Sequence, residues 1–327
     1  MAEATHDPHQ FLNQFRQTLA TSKLAIGFLL GAGCPCAIKN SEGEPTIPDV
    51  VGLTKKVSEK VSKSEEHKAC FETLLNVLLE DGEASPNIET ILGRIRALND
   101  VAGKGKVRGL SSDDLAELDR TICGAITEIV DCEASADETP YRSLAKYIQD
   151  RRGFPTEAFT TNYDLLLENA LEAQRMPYFD GFAGGVRPFF DQTAIDDDKI
   201  PERWCRLWKI HGSINWRSNR KSIVRSKDKN DGEEQLIHPS HRKYDEKRRM
   251  PYLVMMDRLR DFIRNQHHRE RLPVALIVVG YSFSDKHINE ALAENLQANP
   301  SAVCYALQYD VQDRYPKAKE LATEVAT

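Results

Sequence analysis

Four short segments that carry glycines or polar residues each follow an apolar run of this sequence. They are residues 31–33 (Gly-Ala-Gly), 160–164 (Thr-Thr-Asn-Tyr-Asp), 209–213 (Lys-Ile-His-Gly-Ser) and 278–285 (Val-Val-Gly-Tyr-Ser-Phe-Ser-Asp). In doubly wound proteins, ligands bind where the carboxyl ends of parallel strands meet, so the four segments predict one shared crevice. With an Asn and a His available for chemistry, this crevice has the layout of a dinucleotide site.

The glycine turn consists of Gly31, Ala32 and Gly33. Glycines let the backbone turn sharply and approach a ligand closely, and a helix that starts after the turn would aim N–H groups at a diphosphate. The turn lacks the third glycine of a full G-x-G-x-x-G pattern, because Cys36 stands at that position. An ordinary strand-to-helix turn therefore stays open as the alternative interpretation.

Asn162 and His211 are the candidate catalytic residues. The Asn162 amide both donates and accepts, so it can hold a ribose hydroxyl or a water. The alternative is a helix cap, with Asp164 favouring the first turn through the helix dipole. His211 precedes a glycine, and the ordinary His pKa of about 6.5 lets an imidazole take a proton near neutral pH. The alternative is a buried His whose ring is satisfied by backbone.

Five apolar runs without strict alternation predict strands that are buried on both faces, at 24–30, 158–161, 207–210, 274–279 and 302–307. Helical spacing of apolar residues separates them, at 11–19, 165–171, 252–264 and 288–296. Ser284 or Asp285 is the predicted cap of the last of these helices. The pattern predicts an α/β fold, a Rossmann-like doubly wound parallel sheet.

The long interval between the first two predicted strands has helical character. Apolar residues keep helical spacing at 70–79, 88–98 and 115–129. We interpret residues 50–149, approximately, as a helical subdomain inserted into a domain of residues 11–327, which follows a polar tail of residues 1–10. Residues 218–249 are locally basic, and we favour a solvated surface hairpin and loop there over a contact with nucleic acid or a partner.

The composition suits a globular protein with a full core. The 327 residues are 40% hydrophobic and 29% charged, with a net charge of −6 that gives no global argument for nucleic-acid binding. No window approaches the length of a bilayer span, and the N-terminus has no secretory pattern, which predicts a cytoplasmic protein. Seven cysteines without framework spacing predict reduced thiols, with a Cys34–Cys36 redox pair as a minor alternative.

These residues together resemble the sirtuin family, over roughly residues 24–307 and with the motifs in family order. The resemblance rests on the glycine turn, on 47–49 (Ile-Pro-Asp), on 87–92 (Asn-Ile-Glu-Thr-Ile-Leu), on Asn-Tyr-Asp at 162–164, on His-Gly at 211–212 and on Gly-Tyr-Ser at 280–282. The Asn-x-Asp and His-Gly motifs in this order are its most specific part.

The resemblance implies roles for individual residues. Gly31, Ala32 and Gly33 would hold the NAD diphosphate, and Gly280 and Ser282 the adenosine ribose. Asp49 would line the mouth of the nicotinamide pocket, and Asp164 would steady the loop that carries Asn162. Deacylating sirtuins carry a four-cysteine zinc module after the His-Gly. No cysteine lies between Cys205 and Cys304, so we expect neither zinc nor any other metal.

With no zinc module and with a long helical interval before Asn162, the chain resembles the bacterial sirtuin-like domains of anti-phage defence, which hydrolyse NAD. The resemblance implies NAD as substrate, a homo-oligomer, and a partner such as a HerA-type ATPase or a short Argonaute, with nucleic acid reached only through that partner and no membrane. The alternatives are a protein deacylase or ADP-ribosyltransferase on the same site, and a subunit that senses a nucleotide without turnover. A nuclease-partner role through the basic segment ranks last, because no carboxylate cluster suited to a metal accompanies it.

Overall fold

The computed structural model describes residues 7–21, 23–132, 139–151, 154–197, 199–218, 222–226, 234–237, 246–265, 272–309 and 315–326. The strands are β1 (Ala25–Leu30), β2 (Lys106–Val107), β3 (Leu110–Ser111), β4 (Glu157–Thr160), β5 (Tyr178–Phe179), β6 (Phe182–Ala183), β7 (Phe189–Phe190), β8 (Cys205–Lys209), β9 (Gly212–Ser218), β10 (Ile223–Arg225), β11 (Glu234–Ile237), β12 (Val274–Val279) and β13 (Ala302–Leu307). The α-helices are α1 (Pro8–Ala20), α2 (Val50–Ser62), α3 (Glu65–Glu80), α4 (Ile88–Ala102), α5 (Ser112–Val130), α6 (Pro140–Asp150), α7 (Leu166–Ala173), α8 (Gln192–Asp196), α9 (Glu246–Arg264), α10 (Lys286–Ala298) and α11 (Pro316–Ala326).

A six-stranded sheet in the order β13-β12-β1-β4-β8-β5 forms the centre of the fold, and all of its neighbouring strands run parallel. Every residue of β1, β4 and β8 is buried, because helices cover both faces of the sheet. Ile26 and Phe28 pack with the helices between β1 and β4. Ala25 and Leu29 point to the other face, where they join residues of α9 and α10. The predicted doubly wound α/β fold is confirmed.

Five helices, α2 to α6, separate β1 from β4, as the helical spacing predicts. Local sequence determines where they begin. The Asn87 side chain caps α4, and Ser111 and Asp114 form a reciprocal capping box at the start of α5. Their apolar faces build one core with β1 and β4. Helix α1 begins at Pro8, capped by Asp7, and so lies partly within the segment that we predict as a polar tail.

A second sheet was not predicted. It is antiparallel, in the order β11-β9-β10-β7-β6, and β9 follows His211 directly. Parts of the basic segment form β10 and β11, which supports the predicted hairpin there more than the predicted loop. Residues 219–221, 227–233 and 238–245 of this segment lie outside the described residues. Tyr178 and Phe179 of the missed strand β5 form only a two-residue edge strand, too short for a periodic signal.

Candidate functional site

The carboxyl ends of β12, β1, β4 and β8 lie side by side in the parallel sheet. The chain after β1 leads to the helices on one face, and the chain after β12 leads to α10 on the other. The connections diverge between these two neighbouring strands, which is the place where ligands bind to open α/β sheets. The four polar segments therefore meet at one edge, as the sequence predicts.

Gly31 and Gly33 pack against the backbone at Gly280 in the segment after β12. A Cβ atom at Gly31 would lie 2.5 Å from the Gly280 carbonyl oxygen and 2.5 Å from the Tyr281 Cα. A Cβ atom at Gly280 would lie 2.6 Å from the Cys34 backbone nitrogen, and Gly280 has a φ of +61°. These positions require glycine because two backbone segments touch.

The N–H groups of the glycine turn are partly used within the protein. The Gly31 N–H donates to the Val279 carbonyl at 2.9 Å, and the Gly33 N–H donates to the Gly280 carbonyl at 2.8 Å. The prediction that a helix starts directly after the turn is wrong. Only the 3-10 turn Pro35–Ala37 follows, and the first long helix begins at Val50. Pro45 and Pro48 disfavour helix for the residues before them.

Asn162 lies at the end of β4, buried against the glycine turn. Its amide Nδ2 donates to the Gly31 carbonyl oxygen at 3.1 Å, and its backbone N–H donates to Thr160 Oγ1 at 3.0 Å. The cap of the following helix α7 is Leu165, so the alternative that Asn162 is a helix N-cap is wrong. The side chain instead joins two of the four segments.

His211 lies at the end of β8 and is held by two carboxylates. Its Nδ1 is 3.2 Å from Glu89 Oε1 at the start of α4, and its Nε2 is 2.9 Å from Asp285 Oδ2 at the start of α10. Asp285 also caps α10, as one of the two predicted caps, because its Oδ1 accepts from the N–H groups of His287 and Ile288. The alternative in which backbone alone satisfies His211 is wrong.

The two carboxylates change the charge of His211. Burial lowers the pKa of the imidazole, but Glu89 and Asp285 outweigh it and raise the pKa to about 10. The Asp285 carboxylate is partly desolvated, yet its bond to His211 lowers its pKa to about 2. The pKa of His211 is therefore well above the ordinary value of about 6.5 that the sequence analysis used. In this arrangement His211 is a cation that donates two hydrogen bonds, and it cannot accept a proton until one of them is released.

Glu89 connects the helices between β1 and β4 to the site. Its Oε1 also accepts a hydrogen bond from the Tyr163 hydroxyl at 3.2 Å. Glu89 and Asp285 both line an open cleft of about 400 Å³ between α4 and the start of α10. The carboxylates that hold His211 are thus reachable from outside.

Asp164 lies behind the site in a buried ionic network. The Lys209 ammonium, also buried, bonds to the Asp164 backbone carbonyl and, at 2.8 Å, to Glu168 Oε1. The Asp164 carboxylate accepts from the Leu166 N–H at 3.0 Å, and burial raises its pKa to about 6, although Lys209 opposes that rise. These bonds hold the loop that carries Asn162.

The segment after β12 presents Ser282 on the surface and buries its aromatic neighbours. Ser282 is exposed, while Tyr281 and Phe283 are buried. Phe283 has a φ of +56°, and Asn289 Nδ2 donates to its carbonyl oxygen at 2.7 Å. A buried non-glycine residue in the left-handed region is strained, and such strain often marks a ligand-contacting segment.

Asp49 is exposed and caps α2, because its Oδ1 accepts from the Gly52 N–H at 2.8 Å. This local role accounts for the residue without a ligand. Burial raises the pKa of Cys36, and the negative charge of Asp49 raises it further. Asp49 therefore lies near Cys36, which follows the glycine turn. The structure therefore leaves Asp49 beside the predicted crevice but adds no bond to the other site residues that it describes.

The cysteines behave as thiols. All seven are free, and burial raises the pKa of Cys34 to about 12, which makes it a poor nucleophile. Its Sγ donates to the Val279 carbonyl. Among the described residues, no group of three His, Cys, Asp or Glu side chains is arranged to hold a metal ion.

Sequence reasoning missed the two carboxylates that bond to His211 and the lysine that bonds to the Asp164 carbonyl. Glu89 carried a signal as an acid in the first turn of a helix and as part of the family-like stretch 87–92, Asp285 only as a cap, and Lys209 none beyond being a charge in a strand. Each gains its role through contacts more than 40 positions away. A single sequence does not reveal such contacts.

One family model, described as SIR2-like domain, matches residues 156–325 of the chain. The match includes Asn162, His211 and the segment after β12, and it does not include the glycine turn or Glu89. No curated protein matches the chain. Nowhere in the described part of the chain is a helix both long and apolar enough to cross a membrane.

Proposed function

The chain belongs to the SIR2-like domain family, whose members act on NAD, and we propose that it is an NAD⁺ hydrolase. One observation carries the proposal. An amide bonded to a glycine turn and an imidazole between two carboxylates lie at the same carboxyl edge of the sheet. The reaction is NAD⁺ plus water to nicotinamide, ADP-ribose and a proton.

The residues of the edge fit a dinucleotide. We place the diphosphate at Ala32 and Gly33, where the turn is partly exposed, while Gly31 shapes the turn through its contact with Gly280. The exposed Ser282 and the neighbouring Gly280 would contact the adenosine ribose. Asn162 would orient the nicotinamide ribose or the attacking water.

The charges around His211 suit cleavage of the glycosidic bond. A cationic imidazole and two carboxylates sum to one negative charge, which would stabilise an oxocarbenium-like ribose. Nicotinamide departs neutral and needs no acid. In our proposal, a ribose hydroxyl or the water replaces Asp285 at Nε2. Without the Asp285 carboxylate at Nε2 the pKa of the imidazole falls, so the ring releases its Nε2 proton to solvent and, now neutral, accepts the proton that the water gives up.

The test is the loss of NAD⁺ in purified variants. We expect His211→Ala to lower turnover by about 10²–10⁴-fold, the usual contribution of a positioned acid–base group, and Asn162→Ala to lower it as well because the ribose or the water loses the group that orients it. His287→Ala is the matched control, because His287 lies exposed at the start of α10, two residues beyond Asp285. Wild-type turnover retained in both site variants would refute the assignment.

The rival reactions differ in their products. A deacylase given acetylated peptide and NAD⁺ yields O-acetyl-ADP-ribose, an ADP-ribosyltransferase yields a modified acceptor, and the hydrolase yields ADP-ribose. A sensor that only binds NAD⁺ leaves it intact. Identification of the products by mass spectrometry therefore distinguishes the deacylase, the ADP-ribosyltransferase, the hydrolase and the sensor.

The biological setting is also part of the proposal. An enzyme that depletes NAD⁺ harms its own cell unless it is restrained, so we propose that activity depends on assembly in a bacterial anti-phage system, with a homo-oligomer and a partner such as a HerA-type ATPase. Residues 50–149 are the proposed interface. Charge reversal on their exposed faces should lower the mass measured in solution, and an unchanged mass would refute this interface.

A further inference from the structure

Tyr163 connects the segments of Asn162 and His211, although the proposed reaction gives it no role. It follows Asn162 directly in the chain, it is only 7% exposed, and its hydroxyl donates to Glu89 Oε1 at 3.2 Å. The same carboxylate oxygen lies 3.2 Å from Nδ1 of His211. One oxygen atom of Glu89 therefore bonds to both of the segments that carry the candidate catalytic residues.

The backbone of Tyr163 is fixed by strand β9, which follows His211. Its carbonyl oxygen accepts from the Ile214 N–H at 3.0 Å and from Ser213 Oγ at 3.4 Å. Burial and then the charge of Glu89 raise the pKa of the Tyr163 hydroxyl, so this group keeps its proton and acts as the donor. A donor that is held in place thus faces Glu89.

The Glu89 carboxylate is open to competition from water. Its side chain is 25% exposed and lines the cleft between α4 and the start of α10. The last torsion of a Glu side chain is broad, so a carboxylate held by one bond can turn towards solvent. The bond from Tyr163 opposes this rotation and keeps Oε1 beside Nδ1 of His211.

The position of this oxygen decides which nitrogen of a neutral His211 carries the proton. A neutral imidazole has one N–H group, and the hydrogen bond at one nitrogen sets the state of the other. We propose that Tyr163 is a positioning residue: it holds Glu89 Oε1 at Nδ1, so that a neutral His211 keeps its proton on Nδ1 and presents Nε2 as the acceptor. This inference rests on the proposed function, in which the imidazole accepts the proton of the attacking water.

The inference gives the helices between β1 and β4 a part in the chemistry. Tyr163 is the middle residue of Asn-Tyr-Asp and lies inside the SIR2-like match of residues 156–325. Glu89 lies outside that match, on α4. The Tyr163 hydroxyl acts in this way only because α4 brings a carboxylate to it.

Tyr163→Phe tests the inference because it removes the donor and keeps the ring. The matched control is Tyr178→Phe, because the Tyr178 hydroxyl also donates to a glutamate oxygen, Glu172 Oε1, at 3.0 Å. Tyr178 pairs with Cys205 at the start of β8, whereas His211 follows the end of that strand. We expect Tyr163→Phe to lower kcat for NAD⁺ about tenfold with little change in KM, and Tyr178→Phe to keep its kcat.

A double variant shows whether Tyr163 acts through Glu89. In the Glu89→Ala background, Tyr163→Phe should cause no further loss of kcat, because the group that the hydroxyl holds is gone. A full additional loss in that background would overturn the proposal, as would an unchanged kcat in Tyr163→Phe alone.

A second measurement does not depend on turnover. Asp285→Asn removes the carboxylate at Nε2, which lowers the pKa of His211 and lets its neutral form be recorded above the midpoint of its titration. In protein labelled with ¹⁵N-histidine, the two ring ¹⁵N shifts of His211, assigned by their absence in His211→Ala, show which nitrogen carries the proton.

We expect the neutral ring to carry its proton on Nδ1 in Asp285→Asn. The share of rings with the proton on Nε2 should rise when Tyr163→Phe is added and stay the same when Tyr178→Phe is added. Equal shares in the three proteins, or a proton on Nε2 in Asp285→Asn itself, would refute the positioning role. If the wild type does not hydrolyse NAD⁺, the proposed function fails, and these ring shifts alone decide the role of Tyr163.

Discussion

The charge of His211 should depend on the two carboxylates that contact its ring, and replacing either carboxylate by an amide tests this dependence. Glu89→Gln and Asp285→Asn keep the shape of each side chain and remove its negative charge. The carboxylate oxygens lie 3.2 and 2.9 Å from the ring nitrogens of His211, which is almost fully buried. Each variant therefore removes one of the two charges that hold the imidazolium.

The size of the effect follows from these distances. At an effective dielectric of about 20, two unit charges about 3 Å apart interact by about 5–6 kcal/mol, which corresponds to about four pH units of titration. The two carboxylates together hold the pKa of His211 at about 10 against the cost of burial. Loss of either one should bring the pKa of His211 to near 6, so the ring becomes mostly neutral at pH 7.5.

The assay is NMR titration of ¹³C-labelled histidine from pH 5 to 10. The chain has nine histidines, so the His211 signal is assigned by its absence in His211→Ala. Glu83→Gln is the matched control, because Glu83 lines the same cleft between α4 and α10 but its carboxylate is not one of the two that hold His211. It should leave the titration unchanged. A wild-type His211 that titrates near 6.5, or variants that titrate like the wild type, would refute the reasoning.

Two further predictions concern stability and do not depend on the proposed activity. Gly31→Ala should lower the free energy of unfolding, measured in urea, by about 1–3 kcal/mol, because its Cβ would meet the Gly280 backbone at 2.5 Å. The control is Gly124→Ala, inside α5 with no atom within 4 Å of the new Cβ, which should raise the free energy of unfolding by up to about 1 kcal/mol. An equal change in the two variants would contradict this packing. The second prediction concerns Asp164, whose pKa is raised from 3.8 to about 6 in the folded protein. Because the folded state then holds this proton more tightly than the unfolded state, the free energy of unfolding of the wild type should fall by up to about 3 kcal/mol as the pH rises from about 4 to 6. Asp164→Asn should lack that decline; a constant difference between the two proteins over this range would show that Asp164 does not titrate as a buried group.

The local part of the structure could be predicted from residues close together in sequence. Strand β12 spans Val274–Val279 and β13 spans Ala302–Leu307, the bounds that their apolar runs predict. Helices α3, α4 and α5 lie where apolar residues keep helical spacing. Buried parallel strands and amphipathic helices carry strong patterns, because each is set by the periodicity of its own side chains.

The antiparallel sheet and the start of the site after β1 were not predictable in the same way. Strands β6 and β7 have two residues each, and the pairing of β7 with β10 joins segments more than 30 residues apart. The turn after β1 looked like the start of a helix because of its glycines, yet those glycines serve a contact with Gly280. Short strands and backbone contacts leave little trace in composition.

Taken by itself, the sequence determined the parallel α/β fold, the four segments at its carboxyl edge, and the residue types that are available there for chemistry. Only the tertiary structure decided their charge and orientation. Whether an imidazole is a base or a cation depends on Glu89 and Asp285, which lie 122 and 74 positions away from His211. Electrostatic energies change steeply over a few ångströms, and distances through space are set by the packing of the whole chain.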